Sequence, residues 1–108
     1  MKLYIGGAFQ GQEELARLEN PGAVILTDFH ESAGRTAAAG EDPRDFAGRI
    51  CREHPDVVIV ANETGAGIVP MDAAPRAFRE AAGRALCVIA QNADTVIRVV
   101  CGIGVRIK

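Results

Sequence analysis

VVIVANETGAGIVP, residues 57–70, decides the fold. Four consecutive β-branched residues with no polar alternation, 57–60, have the pattern of a strand covered on both faces, as in a parallel sheet. A loop punctuated by Gly65 and Gly67 follows over residues 62–70. It leaves the strand's carboxyl end, where open α/β sheets place their ligands. Downstream, residues 74–92 set Phe78, Ala81, Ala82, Ala85, Leu86 and Ile89 at helical spacing, with Pro75 near the start and Gly83 weakening the middle. TVIRVVC (95–101) is a further strand, and GIG (102–104) turns the chain into VRIK. Alternation there predicts Val105 and Ile107 inward, Arg106 and Lys108 outward.

Working upstream, AVILTDF (23–29) has the same buried-strand pattern and carries Asp28 near its end. HESAGRTAAAGED (30–42) is small and polar with two glycines, which predicts a loop or a frayed helical turn. Asp42-Pro43 places an N-cap residue before a proline at the first helical position. The helix it opens, 43–53, has Phe46, Ala47, Ile50 and Cys51 on one face and Arg44, Arg49, Arg52 and Glu53 on the other. KLYI (2–5) is a short strand ending at Gly6-Gly7, and GQEELARLE (11–19) a helix with an acidic first turn. Strand–helix alternation predicts a small, mostly parallel α/β sheet with helices on both faces, closed by a C-terminal antiparallel hairpin. Residues 1–108 read as one domain, without repeats or linkers.

Composition narrows the function classes. The net charge is −2 and basic residues are scattered singly, which disfavours nucleic-acid binding through phosphate neutralisation. Aromatic residues are 5% of the chain and Trp is absent, too sparse for a base-stacking platform. No apolar run reaches membrane-spanning length, and MKLYIGGAF is too short for a signal peptide. Cys51, Cys87 and Cys101 show neither C-x-x-C nor metal spacing, as expected of buried thiols in a reducing cytoplasm.

IGGAFQGQEEL (5–15) bears on chemistry. Gly6 and Gly11 stand at the spacing of the phosphate-cradling loop Gly-x-x-x-x-Gly-Lys-Ser/Thr, but Gln12 and Glu13 occupy the last two positions. Such a loop uses backbone N–H groups at a helix start, a lysine on the phosphates and a hydroxyl on Mg²⁺. Two readings stay open. Gly6, Gly7 and Gly11 shape a strand-to-helix turn, with Glu13 and Glu14 complementing the helix dipole, or the loop backbone still holds an anion weakly.

Residues 57–108 resemble the C-terminal part of the adenosylcobinamide kinase / adenosylcobinamide-phosphate guanylyltransferase family of cobalamin biosynthesis. The resemblance rests on Asn62, Glu63, Gly65, Gly67, Ile68, Val69 and Pro70, then Arg76, Phe78, Arg79, Ala82, Gly83 and Arg84, then Ala93, Asp94 and Gly102 through Lys108. KLYIGGA is similar to the family's first strand and glycine loop, and VILTDF to its acidic strand, with Asp28 at the Walker B position. The resemblance implies P-loop NTPase (RecA-like) ancestry, self-association into homo-oligomers, and GTP or ATP with Mg²⁺ as cofactor. It implies a corrinoid (adenosylcobinamide) or a nucleotide as ligand, contacted by Gly6, Gly7, Gly11, Asp28, Asn62, Glu63, Gly65 and Gly67. Glu31 would assist Asp28, and Arg76, Arg79 and Arg84 either grip phosphate or corrinoid or pair with Glu80. The family's guanylylated histidine lies in a segment this chain lacks, and neither His30 nor His54 has its context. No catalytic residue and no metal ligand is assigned. The chain reads as a shortened relative that binds or assembles, or else as an active transferase whose missing groups come from a partner.

Overall fold

Among the described residues, five strands order as β2-β3-β1-β4-β5 in one sheet, parallel except for the β4–β5 pair. They are β1 (Lys2–Gly6), β2 (Ile25–Leu26), β3 (Val58–Asn62), β4 (Thr95–Val100) and β5 (Ile103–Arg106). Four helices connect them: α1 (Gln12–Glu19), α2 (Phe29–Ala38), α3 (Pro43–Glu53) and α4 (Ala73–Asn92). The computed structural model describes residues 1–63 and 73–108, of 73–75 the backbone alone.

β1 is central, with Leu3 opposite Ile59 on one side and Val96 on the other. Successive strand residues point to opposite faces, so Leu3 and Tyr4 seed two cores. Leu3, Ile59 and Val96 meet Ala85 and Ile89 of α4, Phe29 and Ala33 of α2, and Ala47 of α3. On the opposite face Tyr4, Val58, Val60 and Val99 pack against Ala16 of α1. The Tyr4 hydroxyl donates to Glu19 Oε1 at 2.8 Å and accepts from Asn20 Nδ2 at 2.9 Å, fastening the last turn of α1 to the sheet. Burial holds this phenol above its ordinary pKa. No helix among the described residues is long and apolar enough to cross a membrane.

Helix α3 starts as expected: Asp42 accepts the Arg44 N–H at 2.8 Å with Pro43 at the first position. Three expectations fail. The strand expected over 23–29 is only Ile25–Leu26 and half-buried, because it lies at the sheet edge with β3 as its sole neighbour. Phe29 belongs instead to α2, where it stacks on Phe46 at 5.6 Å. The segment 30–42, expected as a loop or a frayed helical turn, is regular helix to Ala38, with only residues 39–42 outside helix. Its small residues are what let it pack: a Cβ on Gly34 would lie 2.1 Å from the Phe78 ring. Tertiary contact outweighs weak local propensity here. Finally, Val105 and Ile107 are exposed, because no helix reaches over that side of β5.

Candidate functional site

The carboxyl ends of β1 and β3 converge with the β4–β5 turn, and the loop between β1 and α1 runs among them. Gly6 fits because no side chain would: a Cβ there would come within 2.5 Å of the Val99 carbonyl oxygen. At φ +88° Gly11 occupies the left-handed region at the N-cap of α1, against Gly102. Phe9 also has a positive φ, 61°, and its ring is wholly exposed. Gln10 moors the loop to the hairpin: its backbone oxygen accepts the Gly102 N–H and its Oε1 the Cys101 N–H, each at 2.7 Å.

Gln12 is the centre of the arrangement. Its side chain turns back under the loop and is buried, 5% exposed. Its Nε2 lies 2.8 Å from Asn62 Oδ1, 3.1 Å from Gly7 O, 3.3 Å from Gly6 O and 3.4 Å from Ala61 O. The Glu63 N–H donates to Gly6 O at 2.7 Å, closing the joint between the two strand ends. His30, buried in the first turn of α2, accepts the Asn62 N–H on Nδ1 at 3.0 Å, which makes that nitrogen the unprotonated one. The Glu63 carboxylate pairs with Arg98 of β4 at 3.3 Å.

The structure thus gathers Gly6, Gly7, Asn62 and Glu63 around one buried amide and places Gly11 at the adjoining helix start. Asp28 enters none of these bonds; it is exposed at the head of α2, at φ +53°, without a side-chain capping bond. Glu31 pairs with Arg35 at 3.8 Å, Glu13 with Arg17 at 3.4 Å and Arg84 with Glu80 at 3.9 Å. Gly65 and Gly67 lie outside the described residues. No group of three or more His, Cys, Asp or Glu side chains gathers among the described residues in a form that would hold a metal ion. Sequence reasoning treated Gln12 as an absent lysine and overlooked it as a hub; it set His30 aside, and it overlooked Gln10 and Arg98. For Gln12 the available signal was a polar residue directly after Gly11, at a helix position facing β1.

Comparison with known proteins gives this arrangement a family. A model of the family described as cobinamide kinase / cobinamide phosphate guanyltransferase matches residues 12–107, beginning at Gln12 and taking in the end of β3, with β1 outside it. The bifunctional adenosylcobalamin biosynthesis protein CobU of Salmonella typhimurium (strain LT2) is 54% identical over 52 residues, 48% of this chain and 29% of that protein. Its counterpart from Escherichia coli (strain K12) is 52% identical over the same length and shares. The match therefore spans less than a third of each of these curated relatives.

Proposed function

Because the chain belongs to the cobinamide kinase / cobinamide phosphate guanyltransferase family, we propose that it serves cobalamin biosynthesis as a binding or assembly protein rather than as a phosphoryl- or nucleotidyl-transferase. One observation carries this reading. The position that a phosphate loop fills with a lysine holds the Gln12 amide, buried, and pointing at four oxygens. Phosphoryl transfer consists mainly of positioning and of neutralising charge that develops on phosphate oxygens. A neutral amide with both hydrogens directed inward contributes neither. Glu13 adds negative charge at the helix start, where a polyphosphate would sit. These residues do not fit a magnesium–triphosphate.

What remains around Asn62 and Glu63 suits an uncharged or amide-bearing ligand. Glu63 and Arg98 offer an acceptor and a donor side by side, partly exposed. A corrinoid such as adenosylcobinamide, rich in amide groups, matches that pair. Calorimetric titration of the purified chain separates the readings. Adenosylcobinamide is expected to bind with or without magnesium, and GTP or ATP with magnesium to give no heat. Micromolar, magnesium-dependent nucleotide binding would refute the reading and favour an active transferase completed by a partner. No heat from any of the three would refute the corrinoid assignment and leave assembly.

A further inference from the structure

Along α4, Gly83, Leu86, Cys87 and Ala90 follow one another at three- and four-residue spacing and form one side of the helix. This stripe runs beside the buried residues Ala82, Ala85 and Ile89 but is not buried with them: Gly83 and Cys87 are exposed, Leu86 and Ala90 half-buried. It walls a cleft of about 260 Å³ whose floor is Leu3 and Ile5 of β1 and whose rim is Glu63. Ile5 stands opposite Arg98 in the parallel ladder, so the two side chains share a face. From there Arg98 reaches Glu63, with Nε 3.3 Å from Oε1 and Nη2 3.4 Å from Oε2.

Size and charge limit what this cleft can take. Its volume lies below the roughly 300–1,000 Å³ that encloses a drug-sized molecule, so it accommodates one compact group of a larger ligand. Its polar side carries one negative and one positive charge, already paired, so an anion is opposed by Glu63 and a cation by Arg98. The pair still has lone pairs on both carboxylate oxygens and guanidinium N–H groups to give. An uncharged group with a donor and an acceptor side by side uses both. We propose that the cleft is a subsite for a primary carboxamide attached to a compact apolar group. The apolar part lies on Leu3, Ile5 and Leu86, the amide N–H₂ donates to Glu63, and the amide oxygen accepts from Arg98. Gly83 keeps the wall open, since a Cβ there would meet no atom within 4 Å. For the identity of the whole ligand the proposal rests on the corrinoid reading: a corrinoid rim sets methyl groups beside carboxamide arms, and one such unit suits a cleft of this size.

Cys87 supplies the readout, because it lines the cleft and is exposed. The probe is cyclohexanecarboxamide, an apolar ring with a single primary amide, and alkylation of each thiol by N-ethylmaleimide is followed by mass spectrometry. So small a ligand binds in the millimolar range, and titration runs to about 100 mM. At the top of it Cys87 should react about tenfold more slowly, while Cys101, exposed in the β4–β5 turn, keeps its rate. An unchanged rate at Cys87 overturns the subsite. Cyclohexanecarboxylate carries a charge in place of the amide and should protect far less; equal protection overturns the amide assignment. Gly83→Leu puts a side chain at the wall and a helix former in place of glycine, so circular dichroism should hold while protection is lost. Protection that survives this change overturns the placement of the amide in the cleft. Adenosylcobinamide in the same assay should also protect Cys87, and it separates the subsite from the reading beneath it. Heat of binding with Cys87 unprotected would overturn the subsite and leave the corrinoid reading. Protection by the small amide, with no binding of adenosylcobinamide, would support the subsite and refute that reading.

Discussion

An amide has two hydrogens to donate, and the Gln12 amide faces four oxygens on both sides of the joint between β1 and β3. Gln12→Ala leaves Gly7 O and Asn62 Oδ1 short of a donor inside the fold, at a cost of about 1–3 kcal/mol read by urea unfolding. Gln12→Glu keeps the shape but points a carboxylate at those oxygens. It should be the worse variant at neutral pH, and should recover stability on acidification. Burial among acceptors raises that carboxyl's folded pKa, so its best condition lies below the unfolded value and is lost as pH rises through the folded one. A Glu variant as stable as wild type at pH 7 would mean that the amide hydrogens are not held as described. Thiol reactivity gives a second check at this scale. Burial pushes the Cys51 thiol up, whereas Cys87 and Cys101, expected to be buried as well, stand exposed. Titration with a thiol reagent near neutral pH should show two fast groups and one slow one. From the sequence, the missing lysine was plain in the glycine spacing. The buried role of its replacement was not, because the oxygens of Ala61 and Asn62 arrive from about fifty residues further along the chain.

Among the elements, the pairing of α2 with α4 turns on one notch. Gly34→Ala would drive a methyl into the Phe78 ring, at 2.1 Å from its nearest atom, so α2 must move off α4. A loss of about 1–3 kcal/mol is expected, seen as a lowered melting temperature. Gly83 lies on the open side of α4, and a methyl placed there would have nothing within 4 Å. Gly83→Ala should therefore stabilise, by about 0.5–1 kcal/mol. If both variants move stability the same way, the packing given for α4 is wrong. The cap of α3 adds a pH dependence. The Arg44 backbone N–H, then its guanidinium, hold the Asp42 carboxyl below its ordinary range. A lowered folded pKa means stability that is present above the unfolded value and lost as pH falls through the folded one. The gap between wild type and Asp42→Ala should be constant above about pH 5 and close as pH drops toward 2, followed by thermal melts across that range. The Asp-Pro signature foretold this helix start. Helix α2 gave no such signal, since its buried residues are only Phe29, His30, Ala33 and Gly34, two of them small and one polar.

For the molecule as a whole, hydrophobic periodicity identified β1, β3, β4 and three of the helices, because each buries a face that repeats in sequence. It failed at the margins of the sheet. Period-two alternation groups Ile103, Val105 and Ile107 on one face but carries no information on whether anything covers that face. The continuous apolar run at 23–29 likewise looked central, yet most of it belongs to an edge and to the helix beyond. Amide hydrogen exchange should rank the strands accordingly: slowest in β1 and β3 and fast in β2.

The order of the strands also sets a timetable for synthesis. β1 lies between β3 and β4, yet it leaves the ribosome before either, and Leu3 waits for Ile59 and then for Val96. At about 5–20 residues per second the central strand spends several seconds with both edges bare. Its two ladders are long-range contacts, and folds built on such contacts form slowly. The nascent chain therefore holds Leu-Tyr-Ile unpaired until β3 emerges, and bare on its β4 side until nearly all of β4 has followed.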